Sequence, residues 1–226
     1  MSQNTSSAVM AQRREPPDSL DYFPTPPWAT RALLEWLDER SAGLGGRGTV
    51  WEPACGEGHM ARPLAERFER VIATDVHDYG FGSVRDFLWP GADEPVDWII
   101  TNPPFRLAAE FIERAHQVAR CGIAMLVRTA FLESADRHER LFSKTPPSEI
   151  LQFVERVPMF RGRLDAGGST ATAYCWLVWR YLRRPAPMTE FHWLPPCRAR
   201  LERPGDYPQP PGAEAAAAPL FAEAAS

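Results

Sequence analysis

Apolar and polar positions along the chain follow two periods that alternate with each other. Val96-Asp97-Trp98-Ile99-Ile100-Thr101 is a short, nearly continuous apolar run, the pattern of a parallel strand buried on both faces. Val71-Ile72-Ala73-Thr74-Asp75 and Ile123-Ala124-Met125-Leu126-Val127 read the same way, and Thr49-Val50-Trp51-Glu52 begins another strand. Helical spacing recurs between them. It spans Arg31-Ala32-Leu33-Leu34-Glu35-Trp36-Leu37, then 61–68, where Pro63 fits only a first turn, then 107–118 and a short piece at 137–142. Ile150-Leu151-Gln152-Phe153-Val154 and the run 172–179 are two more strands. They face each other across 161–170, which contains Gly167-Gly168, so an antiparallel hairpin with a pliable loop is predicted. Strands alternating with helices predict an α/β domain with a mostly parallel sheet.

With 226 residues the chain is long enough for one sizeable α/β core with short tails. Residues 1–19 are polar without periodicity, which predicts a disordered N-terminal tail. From Pro204 onward the composition turns to Pro, Ala and Gly, ending near Leu220-Phe221. The expected organisation is therefore a tail over 1–19, one domain over 20–203 and a second tail over 204–226. Four cysteines without a C-x-x-C pair argue against a zinc site and fit thiols kept reduced in a cytosol. Neither a signal peptide nor an apolar run of bilayer length is present, so a cytoplasmic protein without a membrane partner is expected. A net charge of -4 does not advertise a nucleic-acid protein, yet overall charge says little about local patches.

Candidate chemistry concentrates at Asn102-Pro103-Pro104-Phe105, which follows the 96–101 strand. Open α/β sheets place their ligands at the carboxyl ends of strands. The amine of adenine is a poor nucleophile because its lone pair is delocalised into the ring. An enzyme that alkylates it must accept hydrogen bonds from that amine and hold the ring rigidly. The Asn102 side-chain oxygen and the Pro103 carbonyl are acceptors, Phe105 offers a stacking face, and Pro103 and Pro104 stiffen the turn. The tetrapeptide alone also fits a plain Asn-Pro turn closing a strand.

Upstream, Glu52-Pro53-Ala54-Cys55-Gly56-Glu57-Gly58-His59 lies between a strand and a helix. Gly56 and Gly58 let the backbone approach a ligand closely. Asp75, at the end of the next strand, can accept both ribose hydroxyls of a nucleoside cofactor. This half alone fits a dinucleotide-binding fold equally well. Ahead of it, the Pro-stiffened Tyr22-Phe23-Pro24-Thr25-Pro26-Pro27-Trp28 opens a helix, where the Thr25 hydroxyl and free N–H groups could hold a carboxylate.

Taken together, residues 20 to 182 resemble the phage-type DNA N6-adenine methyltransferase family. The likeness is carried by the 22–28 segment, the Glu-Pro-Ala-Cys-Gly-Glu-Gly loop and the Asn-Pro-Pro-Phe tetrapeptide, about fifty residues after that loop. It implies a Rossmann-like class I methyltransferase fold: a seven-stranded, mostly parallel sheet with an antiparallel edge hairpin and helices on both faces. It implies S-adenosyl-L-methionine as cofactor, held by Tyr22, Phe23, Thr25, Pro26, Glu52, Pro53, Ala54, Gly56, Gly58, Asp75, Asp86, Phe87 and Asn102. A flipped adenine of DNA would meet Asn102, Pro103, Pro104 and Phe105, with Phe160 closing its other face. No separate target-recognition region is evident, so low or short sequence specificity, or a protein partner that supplies recognition, is expected.

Arg156, Arg161 and Arg163 flank the hairpin loop and could grip a phosphate backbone, or be solvated arginines of an ordinary tip. A second basic stretch, 180–184 onward to Arg198-Ala199-Arg200, interleaves charge with Phe191, His192 and Trp193; it fits either DNA contact or a linker packed on the core. Pro196-Cys197 invites comparison with the nucleophilic Pro-Cys of cytosine ring-carbon methyltransferases but follows the last strand. Cys55 needs no thiolate chemistry, and the histidines show no ligand spacing, so no metal is expected. Two other substrates pose the same chemical problem as DNA: an RNA base and a glutamine amide. A non-catalytic nucleic-acid-binding module is the alternative of a different class.

Overall fold

A computed structural model describes residues 21–40, 48–89, 91, 94–181 and 188–207. The tail expected over 1–19, and the part of the second beyond 207, lie outside the described residues. Among the described residues eight strands occur in chain order: β1 (Thr49–Glu52), β2 (Arg70–Asp75), β3 (Ser83–Val84), β4 (Val96–Thr101), β5 (Ala119–Arg128), β6 (Glu149–Phe153), β7 (Tyr174–Arg180) and β8 (Glu190–Leu194). They form one sheet in the order β3-β2-β1-β4-β5-β7-β6-β8. Every neighbouring pair is parallel except those made by β7, which runs antiparallel to both β5 and β6.

The apolar runs are continuous because both faces of the central strands are covered. Period 2 divides each strand between two layers. Trp98, Ile100, Ala124, Leu126, Trp176 and Val178 enter one core layer; Ile99, Ile123, Met125, Val127, Cys175, Leu177 and Trp179 enter the other. Helix α1 (Pro27–Arg40) covers the first face with Trp28, Ala29, Leu33 and Leu37. Trp176 Nε1 donates to the Ala29 carbonyl at 3.2 Å, fixing α1 over the sheet. Helix α3 (Ala108–Val118) covers the second face with Phe111, Ile112 and Ala115.

Several elements differ from the sequence expectation. The helix expected over 61–68 is α2 (Ala61–Leu64), a single turn continued by turns, and the piece at 137–142 is the π-helical continuation of α4 (Ala135–Arg137). The predicted hairpin forms as β6 and β7, but it is not the outer edge. The stretch read as a basic segment supplies β8, parallel to β6 from Glu149↔Glu190 to Phe153↔Leu194, and then α5 (Arg198–Leu201). The sheet therefore has eight strands rather than seven. Phe191 and Trp193 are 49% and 64% exposed, so β8 carries little of the burial pattern by which a strand is recognised.

Buried charge ties the ends of the domain together. Arg31 of α1 is 7% exposed and donates to both Glu66 oxygens at 2.9–3.1 Å, to both Asp206 oxygens at 2.7 and 2.8 Å, and to the Leu201 carbonyl at 2.8 Å. Breaking such a network strands the remaining charges. Arg31→Met is expected to lower unfolding free energy by about 3–5 kcal/mol, measured by urea denaturation; a change within about 0.5 kcal/mol would show that the pairing adds nothing net.

Candidate active site

The strand order reverses between β1 and β4, and open α/β sheets leave a crevice at such a switch point. A cleft opens there, at the carboxyl ends of β1, β2 and β4, with about 1000 Å³ of empty volume including its open mouth. From the residues singled out in the sequence it gathers Tyr22, Phe23 and Thr25 from one segment and Glu52, Pro53 and Ala54 from a second. Asp75 and Asp86-Phe87 join them, as does the whole Asn102–Phe105 tetrapeptide.

The turn after β1 is shaped by its glycines. Gly56 and Gly58 have φ of 49° and 82°, a region that favours glycine. A Cβ on Gly56 would fall 2.4 Å from the Tyr22 ring, and one on Gly58 2.6 Å from the Phe81 ring. The Gly56 N–H donates to Asp75 Oδ2 at 2.9 Å and the His77 N–H to Oδ1 at 3.1 Å, so backbone aims this carboxylate. Asp86 Oδ1 accepts the Leu88 N–H at 2.9 Å. Phe87, 2% exposed, packs its ring between Trp51 and Phe111, with centroids 5.1 and 5.0 Å away.

Asn102 joins the tetrapeptide to the segment ahead of α1. Its Nδ2 donates to the Phe23 carbonyl at 2.8 Å and to Thr25 Oγ1 at 3.0 Å, beside the Met159 sulfur at 3.6 Å. A backbone carbonyl only accepts, so Nδ2 must face it, and Oδ1 points the other way. That oxygen is buried without a partner. Phe105, half-buried, lies 5.0 Å from the Phe23 ring and 6.2 Å from Tyr174, and the Arg128 guanidinium sits 3.9 Å from its centroid.

The walls of the cleft are rich in acceptors. Asn102 Oδ1, Glu52 Oε2 and Asp21 Oδ2 are all buried and unpaired. Native interiors rarely leave such atoms unmatched, and Asn102 Oδ1, an amide oxygen, can be satisfied only by a donor or a cation. Glu52 is 2% exposed, and burial together with neighbouring Asp75 lifts its carboxyl well above the usual range. Burial and these same carboxylates push the Cys55 thiol up to about 12. Cys197, at the start of α5, is likewise pushed to about 12 by burial and by Glu155, so both remain thiols at neutral pH. Burial also lowers the pKa of His59, whose Nε2 lies 3.1 Å from Glu57.

Other expected residues lie outside the cleft lining. Pro26 accepts the Ala29 N–H at 2.9 Å and starts α1. Phe160, Arg161 and Arg163 belong to the loop between β6 and β7: Phe160 packs where a Cβ on Gly168 would clash, with Arg163 4.9 Å above its ring. The Gly162 N–H donates to the Tyr22 carbonyl at 2.9 Å, so this loop holds the segment that contacts Asn102. Sequence reasoning missed Asp21 in the cleft wall, Met159 beside the Asn102 amide and Arg128 over Phe105. Met159 reaches Asn102 only through the return of that loop, and no local pattern signals such a contact.

No family model matches the chain. In fold it is similar to a protein of Listeria monocytogenes assigned as a class I S-adenosylmethionine-dependent methyltransferase, at 14% identity and TM-score 0.54, over 78% of this chain and 67% of that one. The chain has the class I methyltransferase fold. A Pyrococcus horikoshii protein assigned as an RNA methyltransferase shares this fold at 16% identity and TM-score 0.55, covering 77% of this chain and 95% of the other. In sequence, 53 residues are 40% identical to a tRNA/tmRNA (uracil-C(5))-methyltransferase of Neisseria meningitidis, spanning 24% of this chain and only 14% of that enzyme. In a class I methyltransferase fold the crevice at the switch point is the expected ligand site, and it is where the unpaired acceptors lie.

Glu52 makes the cleft sensitive to pH. A carboxyl whose folded pKa is raised stays protonated in the folded state, so stability falls as pH climbs from the ordinary 4.5 through the raised value. Glu52→Gln removes that penalty. The variant is expected to gain about 1–2 kcal/mol over wild type at pH 8, with the gap closing below about pH 4.5, by urea denaturation across pH. A variant less stable at every pH would show Glu52 to be well paired.

Proposed function

We propose that the protein transfers a methyl group from S-adenosyl-L-methionine to the exocyclic N6 amine of adenine in DNA. The observation that carries this reading is the unpaired Asn102 Oδ1, aimed by two donor bonds at its own Nδ2 and set in an Asn-Pro-Pro-Phe turn at the switch point.

The cofactor supplies an electrophilic methyl on a sulfonium, and its positive charges suit a cleft with three unpaired buried oxygens. Asp75, aimed by two backbone N–H groups, is placed to accept ribose hydroxyls. Glu52 and Asp21 face cationic or donor groups, Asp86 an amine, and Tyr22, Phe23 and Thr25 close the methionine side. Asn102 Oδ1 and the Pro103 carbonyl accept the hydrogens of the target amine, which localises its lone pair toward the methyl. Phe105 stacks the extruded base, offsetting part of the few kcal/mol, by rough estimate, of unstacking.

DNA is favoured by the resemblance of the 22–28 segment and the cofactor loop to phage-type enzymes. An RNA amine is the second reading, since one fold neighbour is assigned as an RNA methyltransferase and the Neisseria enzyme acts on tRNA. Ring-carbon methylation is disfavoured: addition to a ring carbon calls for a nucleophile, and Cys55, Cys175 and Cys197 are held near 12 by burial. Specificity for a short site or for none fits a stretch between Phe105 and β7 that holds helices, strands and the 154–173 loop but no separate target-recognition domain.

The reading is tested by transfer from radiolabelled S-adenosylmethionine to unmethylated duplex DNA, single-stranded DNA, RNA and protein extract, followed by nucleoside mass spectrometry. Label as N6-methyladenine in DNA is expected; label only in RNA or protein would overturn the substrate. Asn102→Ala is expected to reduce transfer by about three orders of magnitude or more while cofactor affinity, by calorimetry, stays within about threefold; undiminished turnover would remove Asn102 from the chemistry. Asp75→Ala should weaken cofactor binding by about tenfold to a hundredfold, and wild-type affinity would place the ribose elsewhere.

A further inference from the structure

The Arg128 guanidinium, which stands over Phe105, has no role in the methyl transfer proposed above, yet it occupies a place the reaction needs. β4 and β5 run side by side with Thr101 opposite Met125, so both strands end beside the tetrapeptide, and Arg128 is the last residue of β5. Its guanidinium carbon lies 3.9 Å from the centroid of Phe105 and 5.6 Å from that of Phe23. A group that close to a ring centroid can only stand above the ring face, because in the plane it would overlap the ring's own edge. That height is also where a stacked base would sit. Phe105 otherwise packs against the core layer under α1. A guanidinium and a base therefore cannot share the face of Phe105 that Arg128 covers.

What holds Arg128 there is light. It is exposed, and it stands opposite Tyr174 across the β5–β7 ladder with its charge beside the Tyr174 hydroxyl. Ring contacts and one hydroxyl release a side chain far more readily than a buried ion pair does. The strand beneath is different, since Leu126 and Val127 are buried and paired to Trp176 and Cys175 of β7, so the displacement is confined to the side chain.

Resting on the nucleic-acid reading above, we infer that Arg128 is a gate over Phe105: it covers the stacking face when no substrate is present, swings aside as the base enters, and then pairs with a phosphate next to the flipped nucleotide. Its flat, two-pronged cation suits both roles, lying on a ring in one state and gripping a phosphate in the other. Arg128 is thus a positioning residue for the nucleic acid and takes no part in methyl transfer itself.

Steady-state transfer over a series of salt concentrations tests this in wild type, Arg128→Ala and Arg128→Lys, on whichever nucleic acid the wild type labels. Calorimetric affinity for S-adenosylmethionine serves as the check on folding. Arg128→Ala is expected to raise KM for the nucleic acid about tenfold near physiological salt, with kcat within about twofold. The slope of log KM against log salt should fall by about 0.7–0.9, one phosphate contact. Arg128→Lys should keep the wild-type slope, because it keeps the charge. A wild-type slope in Arg128→Ala, or a loss in kcat at unchanged KM, would overturn the gate while leaving the proposed activity standing. A wild type that labels no nucleic acid would refute both.

Discussion

The carboxamide of Asn102 joins the end of β4 to the stretch before α1, and the cleft takes its form from that junction. Its two donor bonds, to the Phe23 carbonyl and the Thr25 hydroxyl, bring together residues more than seventy positions apart in the chain. Spending both donor bonds of the amide on protein leaves its oxygen with nothing to do but accept from a ligand. Rigid prolines on one side and buried Thr25 and Met159 on the other prevent the amide from turning over. The fold supplies this arrangement at the β1–β4 switch point of the parallel part of the sheet.

Electrostatics extends the same logic. Glu52 and Asp75 end adjacent strands β1 and β2, and such paired carboxylates oppose each other's ionisation. Without ligand the raised Glu52 carboxyl and the unpaired oxygens make the cleft a local weakness. A cationic ligand would relieve each of these tensions at once. Stability and binding are therefore set against each other at Glu52, as is common where a site is built for a partner.

Much of this was legible in the sequence because the decisive elements are local. The apolar runs of β2, β4 and β5 identify themselves, since central strands of a parallel sheet are buried on both faces. Gly56, Gly58, Asp75 and the 102–105 turn sit within or directly after such strands, where a motif of a few residues carries both geometry and chemistry. The illegible parts depend on distant returns of the chain. β8 exposes Phe191 and Trp193 and so resembled a basic linker rather than a strand. Met159 and Arg128 meet the site only through the β6–β7 loop and the end of β5. The arginines of that loop drew attention by charge alone, yet the loop's contact with the cleft runs through the Gly162 backbone to Tyr22.

The most direct test of the account is a crystal structure of the protein with S-adenosylmethionine. The account predicts the ribose on Asp75, the transferable methyl facing Asn102 Oδ1, and partners for the oxygens of Glu52 and Asp21 that are now unpaired. A cofactor bound away from the β1–β4 crevice, or an Asn102 amide turned with its oxygen toward Phe23 and Thr25, would contradict it.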